Sequence, residues 1–435
     1  MNDAQGKVAS LLQRLLAIIR GPAPVYLVAS VLARLGSILL IPLYTRRLSP
    51  SEYGDFALAQ SIIGFLPVLF TLGLISALPK FYFSEPDRAA ARSSAGTVAL
   101  WLALSTTLLT LLSCIGVLIA APGGDGGLLH RYELTCICVA AAGSALSTVP
   151  DSIYRSEQRP YRAAAYQLTQ FALQLTTGLV FVLWLGRGLR GAIEATALGY
   201  AITGLLSISF IVVALKGRLN TSVLRTALLF ASPFIPHFIA YWVQTSADRW
   251  TMKAFHLEDE LGGFVLALQL TAPIGMALVA WNDVDTARLG EISRSGGVPA
   301  MARHASRLRL RYFLVGSLVA IGLLASLPIL GLLVGSRFVP ALRLSPLLAA
   351  TIIIDGLFYP NSNILYYTSR TRAIALTTML AAALSIVFSI AFVPLLGAWG
   401  AILARLLTAT TRTTVMWRLA NRLLRDESDE APKGS

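Results

Sequence analysis

Apolar residues run through this chain in long blocks separated by short polar punctuation. Twelve blocks stand out, at about 23–46, 53–83, 95–121, 133–155, 161–186, 191–215, 226–250, 260–286, 309–334, 344–369, 372–395 and 398–424. Each is long enough for a helix to cross a bilayer, which takes roughly 20 apolar residues. The pattern predicts an all-α, polytopic membrane protein with 12 transmembrane helices. The longest polar stretch, about 287–308, reads as a loop with no apolar core. Before the first block, residues 7–20 carry Gln13 and Arg14 inside an apolar run. They read as an amphipathic helix on the membrane surface, within an N-terminal segment 1–22. Residues 426–435 are polar and read as a disordered tail.

Composition agrees. Of 435 residues, 55% are hydrophobic and 13% charged, with a mean hydropathy of +0.68. Soluble domains carry about 25% charged residues. A soluble enzyme, a disordered chain and a nucleic-acid binder are excluded. The net charge of +14 then has to be read against a bilayer, by location. With the N-terminus inside, inner segments hold 24 Lys and Arg and outer ones hold 9. That bias places both termini in the cytoplasm. Cys136 and Cys138 lie about 200° apart around a helix and cannot share a metal. The four histidines are scattered. Neither a metal nor a cofactor is expected.

An internal repeat divides the chain. Glu52-Tyr53-Gly54-Asp55-Phe56-Ala57-Leu58-Ala59 aligns with Glu260-Leu261-Gly262-Gly263-Phe264-Val265-Leu266-Ala267, with five identical positions of eight. Pro150-Asp151-Ser152 pairs with Pro360-Asn361-Ser362 at nearly the same offset. Six spans per half is an even number, so the halves run parallel. The expected organisation is a first lobe at 23–216, a cytoplasmic linker at 217–225 and a second lobe at 226–425. Two such lobes around a central cavity point to a transporter rather than a receptor.

Polar residues inside spans are the candidates for chemistry, because a charge there costs about 2.5–3.5 kcal/mol on insertion scales. Ser30, Arg34 and Ser37 share one face of span 1. A planar guanidinium that cannot be deprotonated suits an anion such as phosphate. Span 7 carries His237, Tyr241, Gln244 and Asp248 as a regular stripe. Span 10 carries Asp355 and Tyr359, and span 12 carries Arg405, Thr408 and Arg412. Span 5 adds Gln170 and Gln174, as cavity wall or as glue between helices. Asp248 and Asp355 are candidate sites for coupling to H+ or Na+; the alternative for both is a structural ion pair, with Arg34 or Arg405 as partner of Asp355. Ser49-Pro50-Ser51-Glu52 reads as a capping box opening span 2.

The segment Ile41-Pro42-Leu43-Tyr44-Thr45-Arg46-Arg47-Leu48-Ser49-Pro50-Ser51-Glu52-Tyr53-Gly54 resembles the span 1–2 signature of the polysaccharide-exporter, Wzx-type oligosaccharide flippase family. Ser246-Ala247-Asp248-Arg249 is similar to that family's small-small-Asp-Arg pattern. Arg155-Ser156-Glu157-Gln158-Arg159 is similar to its loop after span 4. The family belongs to the multidrug/oligosaccharidyl-lipid/polysaccharide exporter superfamily. The resemblance implies a bacterial inner-membrane flippase. Its substrate would be an undecaprenyl-diphosphate-linked oligosaccharide, carried by alternating access for surface polysaccharide biosynthesis. Membrane lipids, H+ or Na+, and polysaccharide polymerase or assembly proteins would be its partners. A drug or cation antiporter of the same superfamily is the nearest rival. A membrane-embedded polymerase or ligase would be expected to carry a long periplasmic loop, and the sequence shows none.

Overall fold

The blocks fold as helices because a helix pairs every backbone group within its own segment, and blocks of this length suit a helical span rather than a strand. The structure is a computed structural model that describes residues 40–120 and 130–430. In chain order its helices are α1 (Pro50–Phe70), α2 (Ala77–Phe83), α3 (Arg88–Ala120), α4 (Arg131–Ser156), α5 (Pro160–Gly178) and α6 (Gly188–Phe210). There follow α7 (Thr221–Ala231), α8 (Phe234–Ala254), α9 (Glu258–Ser295), α10 (Gly297–Leu333), α11 (Ser345–Gly356), α12 (Phe358–Tyr367), α13 (Thr371–Leu396) and α14 (Ala398–Glu430). Residues 40–47 are helical too, but most of the first predicted span lies outside the described residues.

Among the described residues, eight helices are long and apolar enough to cross a membrane, or nine when the bent pair α7–α8 counts as one span. The chain is therefore a multi-pass membrane protein. Helices α5 and α14 occupy predicted spans but fall outside that count. They carry Gln167, Gln170 and Gln174, and Arg405 and Arg412, respectively. The polar stripes that mark them as functional candidates also lower their apolar character.

Three predicted spans are broken. Span 2 divides into α1 and α2 at Leu72 and Gly73, both with positive φ, just after Pro67. Span 7 divides into α7 and α8, bent by 45° at Ser232-Pro233, where proline removes a backbone donor. Span 10 divides at Leu357 between α11 and α12. The expected loop at 287–308 is instead helical throughout: α9 and α10 run into each other with one break, at Gly297 (φ 57, ψ −155). Polar composition alone does not make a loop, and here only Gly297 departs from helical backbone geometry. The last helix likewise continues to Glu430, through half of the segment expected to be disordered.

The chain forms two compact units. The first holds residues up to Arg47 and Ala59–Pro236; the second holds Leu48–Leu58 and His237–Ser435. The boundary thus falls at 236/237 and not in the expected linker, because α7 packs with the first unit. Ala227 of α7 is buried with Leu74, Leu78, Val98, Leu102, Val149, Ile153 and Leu215. Helices α4 and α6 approach closely in that unit. A Cβ on Gly204 would sit 2.9 Å from the Cα of Gly143. Small residues at such crossings let two backbones touch, which is how spans associate without a hydrophobic driving force.

In the second unit the first turns of α1 cross the start of α9. Pro50 is the first helical residue and the predicted capping box is made: Ser49 N–H donates to Glu52 Oε2 (2.8 Å) and Glu52 N–H to Ser49 Oγ (3.2 Å). At the crossing sit Gly54 and Gly262, the equivalent glycines of the internal repeat. A Cβ on Gly54 would lie 3.1 Å from the Glu258 carbonyl oxygen, and one on Gly262 would collide with the Pro50 carbonyl. Tyr53 Oη donates to Gln269 Oε1 (2.5 Å), and Lys253 Nζ joins Asp55 (2.7 Å) and Glu258 (3.2 Å).

Candidate functional site

Four helices of the second unit bring their polar faces together. Helix α8 contributes Gln244, Thr245 and Asp248; α11 contributes Thr351, Ile352 and Asp355. Helix α13 contributes Ser385 and Ser389, and α14 contributes Ala404, Arg405, Thr408 and Ala409. The resulting pocket has a cavity volume of about 70 Å³ and is open on one side.

Two ion pairs charge it: Asp248–Arg405, both in the lining, and Asp355 of the lining with Arg412 behind it. Arg405 donates through Nε to Oδ2 of Asp248, and its Nη2 bonds Oδ1 of the same carboxylate (3.3 Å) and the Thr245 carbonyl (2.7 Å). Seven residues on, two turns along the same face, Arg412 donates through Nη2 to Asp355 Oδ1 (2.5 Å) and through Nη1 to Gln244 Oε1 (3.3 Å). Asp248 is buried, its side chain 3% exposed, whereas that of Asp355 is 39% exposed toward the pocket side. Arg412 stacks over Phe358 at 4.2 Å, a cation–π contact that replaces part of its hydration. The charges of the two pairs cancel, which is what allows four ionised groups to sit within apolar spans.

The hydroxyl groups complete the wall. Thr245, Thr351, Ser385 and Thr408 each donate to a carbonyl three or four residues earlier on their own helix. Their hydrogens are spent locally, so their remaining lone pairs are acceptors for whatever enters. Arg249, next to Asp248, sends Nη2 to the Thr245 carbonyl (3.3 Å). Its Nε, like the Nε of Arg412, is buried with no hydrogen-bond partner among the described residues.

Among the sequence candidates, Gln244, Asp248, Asp355 and Arg405 meet in this pocket. His237 and Tyr241 are on the same helix but do not line it; Tyr241 is 54% exposed. Tyr359 packs against Tyr312 and Phe358 instead. Gln170 and Gln174 belong to the first unit. Gln170 Nε2 donates to Ser147 Oγ of α4 (3.2 Å), and Gln174 faces Gly199 of α6, with its Nε2 buried and unpartnered. Ser30, Arg34 and Ser37 lie outside the described residues. Arg412 is the functional candidate that sequence reasoning undervalued. It stands on the α14 stripe two turns from Arg405, but the stripe alone does not show that it meets a carboxylate of another helix.

A second charged cluster closes the other unit. The Glu157 side chain is fully buried and meets three arginines: Arg92, Arg159 (3.1 Å) and Arg88 (3.8 Å).

Known proteins place this arrangement. A multidrug resistance MATE family transporter of the MOP superfamily, in an inward-facing conformation, matches with a TM-score of 0.74 at 14% identity; the match covers 94% of this chain and 100% of that one. The lipid II flippase MurJ, in an inward closed conformation, matches with a TM-score of 0.73 at 14% identity, over 91% of this chain and 87% of that one. A MOP superfamily transporter from Pyrococcus furiosus, described as having a binding pocket of reversed polarity, gives 0.62 at 16% identity over 94% and 97%. At these identities the likeness shows the fold alone. No curated protein sequence matches the chain. A family model described as polysaccharide biosynthesis protein matches residues 23–282, more than half of the length, and the chain belongs to that family.

Proposed function

We propose that this protein moves an undecaprenyl-diphosphate-linked oligosaccharide from the cytoplasmic to the periplasmic leaflet of a bacterial inner membrane, by alternating access, for surface polysaccharide assembly. The observation that carries this reading is the half-buried Arg405 and the buried Arg412 on one face of α14, in a chain of a polysaccharide biosynthesis family with the fold of a lipid II flippase. A diphosphate-sugar head cannot cross hydrocarbon unaided, while its isoprenoid tail can stay in lipid. Guanidinium forks match phosphate oxygens two at a time. Arginines already shared with aspartates bind an incoming phosphate only moderately, and a site that must release its cargo needs moderate binding. Arg34, with Ser30 and Ser37, is proposed to add positive charge from span 1, and His237 and Tyr241 to line the path beyond the pocket.

A second reading, a drug or cation antiporter, draws on the equal likeness to a MATE transporter. Against it, a cation reaching Asp248 or Asp355 must first displace a guanidinium. H+ or Na+ coupling through these two carboxylates is compatible with either reading. The test is to delete the gene and identify what accumulates. A lipid-linked oligosaccharide on the cytoplasmic face, cleared by the wild-type gene but not by an Arg405→Ala/Arg412→Ala form of equal abundance, is the expected result. Sensitivity to cationic drugs with no such intermediate would instead establish the antiporter.

A further inference from the structure

Four of the six asparagines in the chain, Asn282, Asn361, Asn363 and Asn421, gather in one part of the second unit. Two of them hold a cation. Arg309 of α10 donates through Nε to Asn361 Oδ1 (2.9 Å) and through Nη2 to Asn421 Oδ1 (2.8 Å). Asn361 is itself fixed by its Nδ2 bond to the Leu357 carbonyl (2.7 Å). Among the described residues no carboxylate comes within ion-pair distance of Arg309, in contrast to Arg405 and Arg412. Its charge is held by neutral amides and stays uncompensated. Its Nη1 has no partner among the described residues, yet it is not one of the buried unsatisfied atoms, so it remains reachable.

Depth identifies the ligand. Counted back from Leu333, about 20 residues at 1.5 Å each cover a hydrocarbon core of about 30 Å and reach about residue 313. Arg309 lies one turn further, which on that count puts it at head-group depth. Beside it is Trp417 of α14, its ring 5.7 Å from the guanidinium carbon and 45% exposed, as tryptophans are at the membrane–water interface. Arg418 and Arg422, both exposed, flank the same stretch of α14. Basic notches between spans at this depth take anionic head groups.

We infer that Arg309, set by Asn361 and Asn421 beside Trp417, is a seat for a phosphate group at head-group depth, separate from the Asp248–Asp355 pocket. Nη1 supplies the free donor, the two amides fix the fork, and the indole covers one side. The seat does not depend on what the pocket transports.

The test uses the full-length protein purified in detergent. Native mass spectrometry would compare phosphatidylglycerol, phosphatidylcholine and inorganic pyrophosphate. Asn421→Asp is the decisive variant, because it keeps the hydrogen bond to Arg309 while neutralising its charge. It should melt no lower than wild type and lose preferential phosphatidylglycerol binding by about tenfold, the worth of one charge-assisted hydrogen bond. Arg309→Gln should lose it equally. Binding of pyrophosphate that disappears in Asn421→Asp would support the seat with a soluble source. Wild-type preferences retained in both variants for every probe would overturn it.

Discussion

Arg412 and Asp355 are bonded at 2.5 Å across the interior of the second unit, and the arginine is the more buried partner, its side chain 7% exposed against 39% for the aspartate. The Arg405–Asp248 pair has the reverse balance, 21% against 3%. Removing one partner from a fully buried pair costs about 3–5 kcal/mol, because the other charge is left unpaired. Asp248→Asn strips the neighbouring carboxylate from two guanidiniums, Arg405 and Arg249, whereas Asp355→Asn strips it from Arg412 alone, so Asp248→Asn should lower the melting temperature in detergent more than Asp355→Asn. Equal shifts would mean that the two pairs are equally screened.

Transport should respond differently from stability. Arg405→Ala and Arg412→Ala are each expected to reduce flipping in reconstituted vesicles by at least about tenfold, the loss of a charge-assisted contact. Lysine at either position should recover only part, since an ammonium cannot form the bidentate fork. An Arg34→Ala/Arg405→Ala form that flips normally at normal abundance would remove the anion-binding role from both. Collapse of the ion gradient should slow wild type, and Asp248→Asn or Asp355→Asn should blunt that dependence.

The glycine crossing gives a sharper stability forecast. Gly262→Ala puts a methyl group into the Pro50 carbonyl, and something must shift. At Gly54 the nearest atoms are 3.1 Å away, so Gly54→Ala needs only small adjustment. Thermal denaturation should rank wild type above Gly54→Ala, and Gly54→Ala well above Gly262→Ala.

At Glu157, three arginines depend on one buried carboxylate. Glu157→Gln should strongly reduce the yield of folded protein. Arg88→Gln should be near neutral, because that side chain is 53% exposed and sits 3.8 Å from the carboxylate, and exposed pairs contribute about 0–1 kcal/mol. Size-exclusion chromatography after solubilisation checks both.

The topology forecast concerns the α9–α10 break. The charge bias predicts cytoplasmic termini, and on that orientation Arg303→Cys in a cysteine-free background should resist an impermeant thiol reagent added from outside and react once the membrane is opened. Labelling from outside would invert the orientation.

The helical nature of the chain and its multi-span character were legible from the apolar blocks, and the crossing glycines were visible as a repeat. Their meaning was not, since a sequence match does not say that the matched residues touch. Asp248 and Asp355 were recognisable as costly buried charges, but their partners were not. Which arginine meets which aspartate depends on the rotation of α8, α11 and α14 about their axes, and periodicity within one helix does not set that. Arg309 gives no signal in the sequence, because a tally of basic residues cannot separate a solvated arginine from one held between helices. The 287–308 stretch misled for a related reason: its charges solvate a helix as readily as a loop.

Pairing α14 to two other helices also bears on how the protein is made. A helix with two arginines is a poor candidate for insertion on its own, each costing about 2.5–3.5 kcal/mol near mid-membrane. Its neutralising carboxylates are on α8 and α11, which leave the ribosome earlier. Stable entry of α14 into the bilayer is therefore conditional on those helices being in place. The ion pairs of the pocket thus offset the insertion cost of α14 as well as shaping the pocket.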